Sequence, residues 1–396
     1  KTTDSWFGAS AGSGLTATKD GNCEIASSRN SGTRNDDFCI HDDRKELSDS
    51  PAANRRSELV VLPENRGKRH AQKAGFDRAE GEYIVTADGD TVLHPDALIA
   101  LVQAMEPWSD AGVARGMGTG DHPGLPEVRD GLARVGAATA SIRVRNTNSL
   151  FTTLLELRYW CAGHQERASQ SYFGVMVCCS GALSIYRREL VDALKHEYVK
   201  QRFLGKECTF GDDRHLTNLI LREGWDTKFV PDAQAWTLAP ERILKWLRQQ
   251  RRWSQSFYRE CWWSLRFMHR RNVYFGYNLL VGGLMPLFLA YGLIAAGVHV
   301  AQTHWWMAGK YVATVFLMAW IRGAYGLWLT RDWKFLLMPV YGLLHLVGVM
   351  PVRLYALFTL GNTSWGTRTA GALSGTGGTG FDGVWPISAE AQGSGK

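Results

Sequence analysis

Nowhere in its 396 residues does the sequence set a basic run interleaved with stacking aromatics in a small domain, so the usual signature of a nucleic-acid-binding module is absent. Charge is scarce as well: Asp, Glu, Lys and Arg make up 21%, too little for a solvated, disordered polyelectrolyte. The 45 Lys and Arg against 38 Asp and Glu leave a net +7, which suits an anionic lipid face or a phosphorylated substrate. The seven cysteines offer neither a disulfide framework nor zinc spacing, because Cys178 and Cys179 are adjacent and the rest scattered; reduced, intracellular thiols are expected. No basic segment followed by an apolar one opens the chain, so membrane insertion is expected to rely on later segments. An internal repeat of roughly 20 to 50 residues is also missing, which excludes a solenoid.

What is abundant is apolar: 45% of residues, with 16 Trp, 16 Phe and 13 Tyr, unevenly placed. The mean hydropathy of -0.20 averages a polar front with a back dominated by long apolar runs. Residues 1–56 are rich in Ser, Thr, Asn, Asp and Gly without periodicity and read as a polar, poorly ordered or atypical segment. Over 57–239 short apolar strands alternate with helical stretches: Leu59-Val60-Val61-Leu62, a helix over 68–79, the strand Tyr83-Ile84-Val85-Thr86-Ala87, then a helix from Pro95. That rhythm predicts an α/β sheet.

Residues 149–173 and 240–269 carry aromatics and leucines at helical spacing with arginines between. They are too charged to span a bilayer and suited to lying on it, although ordinary amphipathic core helices share the pattern. The second falls in an interfacial region over 240–275. Runs at 278–300, 305–329 and 335–358 can each cross roughly 30 Å of hydrocarbon, giving three or four spans within 276–370. Pro339, Pro351 and Arg353 predict that the third is broken. From 371 to 396 Gly, Ser and Thr dominate, as in a flexible tail.

Several strings carry chemistry. Asp88-Gly89-Asp90-Thr91 follows a strand, and two carboxylates two residues apart can hold Mg²⁺ while substrate phosphates complete its octahedron; a solvated turn is the plain alternative. Upstream, Arg66-Gly67-Lys68-Arg69-His70 sets a glycine and cations at a helix start, where Lys68 and free N–H groups can face phosphates or form only a charged turn. Gly211-Asp212-Asp213-Arg214-His215 precedes a helical run over 216–221. An inverting displacement needs one carboxylate to take the proton of the attacking hydroxyl; Asp213 is the candidate, with Asp212 beside it. The alternative makes Asp212 a helix cap and Asp213 a partner for Arg214. In Gln249-Gln250-Arg251-Arg252-Trp253, helical spacing turns Gln249, Arg252 and Trp253 to one side. Arg252 can clamp a diphosphate and Trp253 can face a sugar, unless this is an interfacial helix with snorkelling arginines.

In this order, followed by apolar spans, these strings resemble the processive, membrane-integrated β-glycosyltransferases that include cellulose, chitin and hyaluronan synthases. The stretch from Cys179-Ser180-Gly181 to Arg187, that from Gly211 to Asn218, Trp253-Ser254-Gln255-Ser256-Phe257-Tyr258-Arg259-Glu260 and Trp365-Gly366-Thr367-Arg368 are most similar to hyaluronan synthases, across residues 58–370. The resemblance implies a GT-A-like, nucleotide-sugar-binding α/β domain facing the cytoplasm, joined through interfacial helices to a multi-pass α-helical bundle in the cell membrane. It implies that Lys68 and Asp88 contact the diphosphate and Asp90 the metal, Mg²⁺ or Mn²⁺. Asp213 would then be the base, Gln249, Arg252 and Trp253 a lid over donor and acceptor, and Cys179, Ser180 and Gly181 neighbours of the acceptor sugar. The implied partners are UDP-N-acetylglucosamine, UDP-glucuronate, a growing polysaccharide extruded through the enzyme's own channel, and membrane lipids. Arg322, Arg331, Arg353 and Arg368, at the edges and interior of the spans, suit an acidic product.

The sequence departs from the family in places. Opening spans and an Ala-Tyr-Asn-Glu-like uridine-binding strand are not visible, Ala182 stands where proline is common, and Asp42 and Asp43 are the candidates for a remnant nucleotide-contacting strand. A chitin-like or other β-glucosaminoglycan synthase, or an inactive fragment lacking the uridine-binding segment, remain the alternatives.

Overall fold

The computed structural model describes residues 13–17, 23–29, 57–64, 66–105, 135–302 and 306–363; Asp42, Asp43, the string 365–368 and the tail from 371 lie outside them. Along the first half run β1 (Ser13–Ala17), β2 (Cys23–Arg29), β3 (Ser57–Val61), α1 (Lys68–Phe76), β4 (Tyr83–Ala87), β5 (Val92–Leu93), α2 (Ala97–Met105) and β6 (Val135–Val144). After them come α3 (Leu150–Cys161), a π-turn (Ala162–Arg167), α4 (Ala168–Tyr172), β7 (Leu183–Arg187) and α5 (Arg188–Val199). The short strands β8 (Arg202–Phe203) and β9 (Lys206–Glu207) precede α6 (Asp212–Arg222), β10 (Asp226–Thr237) and α7 (Ile243–Ser264).

Eight strands join one sheet in the order β3-β2-β1-β4-β7-β6-β10-β5, with β8 and β9 forming a separate ribbon. Pairing is parallel at β2–β3 and β6–β10 and antiparallel elsewhere in the sheet. β4 and β6 are buried on both faces, which is why they read as unbroken runs of apolar and small residues instead of alternating ones. On one face Val85, Ala140 and Ile185 pack with Ala97, Leu101 and Met105 of α2. On the other, Ile84, Ala137 and Tyr186 pack with Leu190 and Leu194 of α5 and Leu219 and Ile220 of α6. Neither β1 nor β2 was foreshadowed by periodicity; both are held by backbone pairing, β1 lying between β2 and β4.

Three described helical stretches are long and apolar enough to cross a membrane: α8 (Val273–Ala301), α9 (Trp306–Thr330) and the composite Trp333–Phe358. The expected break in the third is present. A 3-10 turn leads to α10 (Met338–Leu344), a π-turn (His345–Val349) follows, and α11 (Met350–Phe358) completes it. Pro339 and Pro351 both lie in the first turn of a new helical segment, where a missing N–H costs no helical bond. α3 starts with a capping box between Ser149 and Thr152. Its Leu154, Leu157 and Trp160 pack with Trp246 of α7 and with Phe335, Met338 and Tyr341 of the third stretch, so one face of each amphipathic segment is buried against an apolar partner while Leu150, Leu244 and Trp262 stay exposed. Within α9, Arg322 reaches Glu166 of the first π-turn at 2.5 Å, and Arg158 meets the same carboxylate at 3.1 Å. The charge of Arg322 is thus answered by protein.

Candidate functional site

β4 ends at Ala87 and delivers Asp88 beside the start of α1, where Lys68 forms an ion pair with its carboxylate. A Cβ on Gly181 would stand 3.3 Å from Lys68 Nζ and 3.4 Å from Asp88 Oδ2, so a side chain there would crowd both charged groups. Burial alone would weaken the Lys68 ammonium, but Asp88, Asp212 and Asp213 together hold its affinity for the proton above lysine's ordinary value. One cation therefore lies within the field of both acidic motifs. Asp90 is exposed at the rim; partial desolvation and the neighbouring Asp88 push its carboxyl up, against smaller opposing effects that include a hydrogen bond with Thr237 and the charge of Lys68.

The loop from Cys178 to Gly181 joins the two acidic sites. The Cys179 N–H donates to Thr217 Oγ1 at 2.9 Å on α6, and the Ser180 N–H donates to Thr139 Oγ1 at 2.9 Å on β6. Ser184 Oγ holds the Ser180 carbonyl at 2.6 Å. Burial and the Asp213 carboxylate push the Cys178 thiol up to about 11, and this protonated sulfur donates to Asp213 Oδ2 at 3.5 Å.

The acidic pair divides. Both residues occupy the first turn of α6, where free N–H groups favour negative charge. Asp212 is 5% exposed and its carboxylate is bound by Arg69, whereas Asp213 is turned toward Cys178 and accepts the Arg214 N–H at 2.9 Å. The helix begins four residues earlier than the apolar run 216–221 predicts, and its N-cap is Gly211, not Asp212. Gly211 has φ 88°, a left-handed conformation natural to glycine, and Ser256 of α7 occupies the space a side chain would need. Gly211→Ala is expected to cost at least about 1–2 kcal/mol from φ alone, with more from the clash, read as a lower unfolding midpoint.

Gln249, Arg252 and Trp253 lie together on α7. The Trp253 ring is 6.4 Å from that of Tyr159, and Tyr159 lies within the field of Asp90, which brings this motif toward the Asp88–Asp90 string. Gln249 Oε1 is buried with no hydrogen-bond partner among the described residues. Sequence reasoning missed what fixes α7 on α6: Glu260 accepts from Asn218 Nδ2 at 3.1 Å and Gln201 Nε2, and bonds His215 Nδ1 at 3.0 Å, all in the interior. Only the string Arg259-Glu260, polar at buried helical positions, hinted at it. Arg167, also overlooked, ends the first π-turn within the field of both Tyr159 and Cys178.

Residues 45–256 match the family described as glycosyltransferase like family 2. The chain belongs to that family. The sheet with its flanking helices is the GT-A-like α/β domain of this glycosyltransferase family, here carrying helices for a membrane bundle. Hyaluronan synthase 3 of Gallus gallus is 33% identical over 319 residues, 78% of this chain and 54% of that protein. The corresponding protein of Mus musculus is 32% identical over 306 residues, 76% of this chain and 50% of that one. An N-acetylglucosaminyltransferase of Mesorhizobium japonicum is 32% identical over 324 residues, 81% of this chain and 70% of that protein. The chain spans about half the length of the vertebrate synthases it matches. A solved mannosyltransferase from Pyrobaculum calidifontis, in complex with GDP-Man and Mn²⁺, aligns with TM-score 0.42 and 18% identity over 82% of this chain and 74% of that one. Among the described residues no group of three or more His, Cys, Asp and Glu is placed to hold a metal. Asp88 and Asp90 instead form a two-carboxylate set, which fits a Mg²⁺-type ion drawing its other ligands from phosphate and water.

Proposed function

We propose that this family 2 protein transfers sugar with inversion from UDP-sugars to a growing β-linked polysaccharide, and that the polymer is hyaluronan, built from UDP-N-acetylglucosamine and UDP-glucuronate. One observation carries the reading: Lys68, Asp88, the Cys178–Gly181 loop and Asp213 are contiguous, so a diphosphate site and a base flank one loop. In this reading Lys68 and Asp88 orient the donor diphosphate, while Cys179, Ser180 and Gly181 border the acceptor sugar. Asp213 takes the proton of its attacking hydroxyl as the bond to UDP breaks. Asp212 positions the helix start. Asp88 and Asp90 would hold Mg²⁺ or Mn²⁺, which when bound offsets negative charge on the leaving diphosphate. Gln249, Arg252 and Trp253 cover donor and acceptor, Gln249 Oε1 accepting from a ligand hydroxyl. The α/β domain faces the cytoplasm, and the polymer leaves through the apolar helices of the same chain.

The test is incorporation by the purified full chain in lipid, given each UDP-sugar alone and both together. Polymer only with both supports hyaluronan, and no incorporation under any condition overturns the transfer reading. Polymer from UDP-N-acetylglucosamine alone would establish a chitin-like product, a second reading favoured by the likeness to the Mesorhizobium N-acetylglucosaminyltransferase. Arg252→Ala is expected to remove a charge-assisted contact of about 1.5–3 kcal/mol, raising the UDP dissociation constant roughly ten- to a hundredfold in calorimetry. An unchanged constant would reduce this arginine to packing.

A further inference from the structure

A cavity of about 610 Å³ opens between the end of α5, the β8–β9 ribbon and the C-terminal half of α7, and none of the residues assigned above to transfer lines it. Its wall carries Lys200, Arg202, Arg259 and Arg266 against a single carboxylate, Glu197. Glu197 is already engaged by Arg222, whose two terminal nitrogens reach its oxygens at 2.5 and 2.8 Å. Arg202 faces Glu207 across the ribbon at 3.5 Å. Arg259 is the unusual member. It is 2% exposed, donates to the Gln255 carbonyl at 3.3 Å and to Cys208 Sγ at 3.4 Å, and lies 4.2 Å above the Phe210 ring. Its Nη2 has no hydrogen-bond partner, and no carboxylate forms an ion pair with it among the described residues. A buried guanidinium in that state is costly, and a bound anion relieves the cost. Trp262 and Trp263 complete the wall with aromatic surface, and α7 runs on through a 3-10 turn (Met268–Arg270) into α8, an apolar helix long enough to cross a bilayer.

We propose that this cavity is a second anion site that binds a phosphate ester, separate from the transfer site, with Arg259 at its floor and Lys200 and Arg266 at its mouth. A phosphodiester headgroup of an anionic lipid and a soluble phosphate monoester share this chemistry, and the test separates them. Lys200 and Arg266 are exposed and make no ion pair among the described residues, so Lys200→Gln with Arg266→Gln leaves the fold's own contacts intact. The full chain in neutral detergent is titrated calorimetrically with dihexanoyl phosphatidylglycerol, with glycerol 3-phosphate and with dihexanoyl phosphatidylcholine. Tighter binding of either anion than of the zwitterionic lipid, weakened at least tenfold in the double variant while UDP affinity is unchanged, supports the site. Phosphatidylglycerol alone identifies the lipid source, and glycerol 3-phosphate alone or both identifies a phosphate site open to soluble esters. Equal binding of all three probes, or equal binding by variant and wild type, overturns the proposal.

Discussion

Asp213→Asn is expected to lower sugar transfer by a factor of about 10² to 10⁴, with UDP affinity and unfolding midpoint unchanged. The residue occupies the first turn of α6, where backbone donors and the Cys178 thiol hold a carboxylate in place. Asparagine keeps that shape and cannot accept the hydroxyl proton. Initial rates with labelled donor, alongside calorimetry with UDP, separate the two quantities. Near-normal turnover would move the base elsewhere, with Asp88, which flanks the other end of the same loop, the first carboxylate to test.

Its neighbour should behave in the opposite way. Asp212 and Arg69 form a pair whose side chains are 6% and 4% exposed, and Arg69 also donates to the carbonyls of Tyr198 at 3.4 Å and Phe210 at 3.3 Å. Removing one partner strands a charge in the interior, so Asp212→Ala is expected to cost about 3–5 kcal/mol of stability, measured as a lower thermal or denaturant midpoint in detergent. Replacing both, Asp212→Leu with Arg69→Met, should recover much of the loss, because the penalty lies in the uncompensated ion and not in the absent contact. A stable Asp212→Ala protein with abolished transfer would assign Asp212 to the chemistry.

The contrast shows what the sequence could tell. The placement of Asp88 and Asp90 just beyond a strand was legible because β4 is a short apolar run followed by carboxylates, a purely local pattern. The apolar helices were legible because length and composition alone decide whether a helix can cross hydrocarbon. The different surroundings of Asp212 and Asp213 were not, since they depend on Arg69, 143 positions from Asp212 in the chain. For the same reason α6 starts earlier than its apolar run: the left-handed turn at Gly211 is fixed by Ser256 from another helix. β1 and β2 escaped because strands secured by main-chain pairing with β4 need no apolar alternation of their own.

The wedge of Ser256 against Gly211, together with the buried bonds of Glu260 to α6, has a mechanical corollary. Two rods clamped at that point cannot pivot independently. If Arg252 and Trp253 cover the nucleotide as proposed, opening above it would come from rotation of their side chains or from a joint displacement that carries Asp213 along. On the proposed assignment, departure of spent nucleotide and readiness of the proton acceptor would be geared to one another in each catalytic cycle.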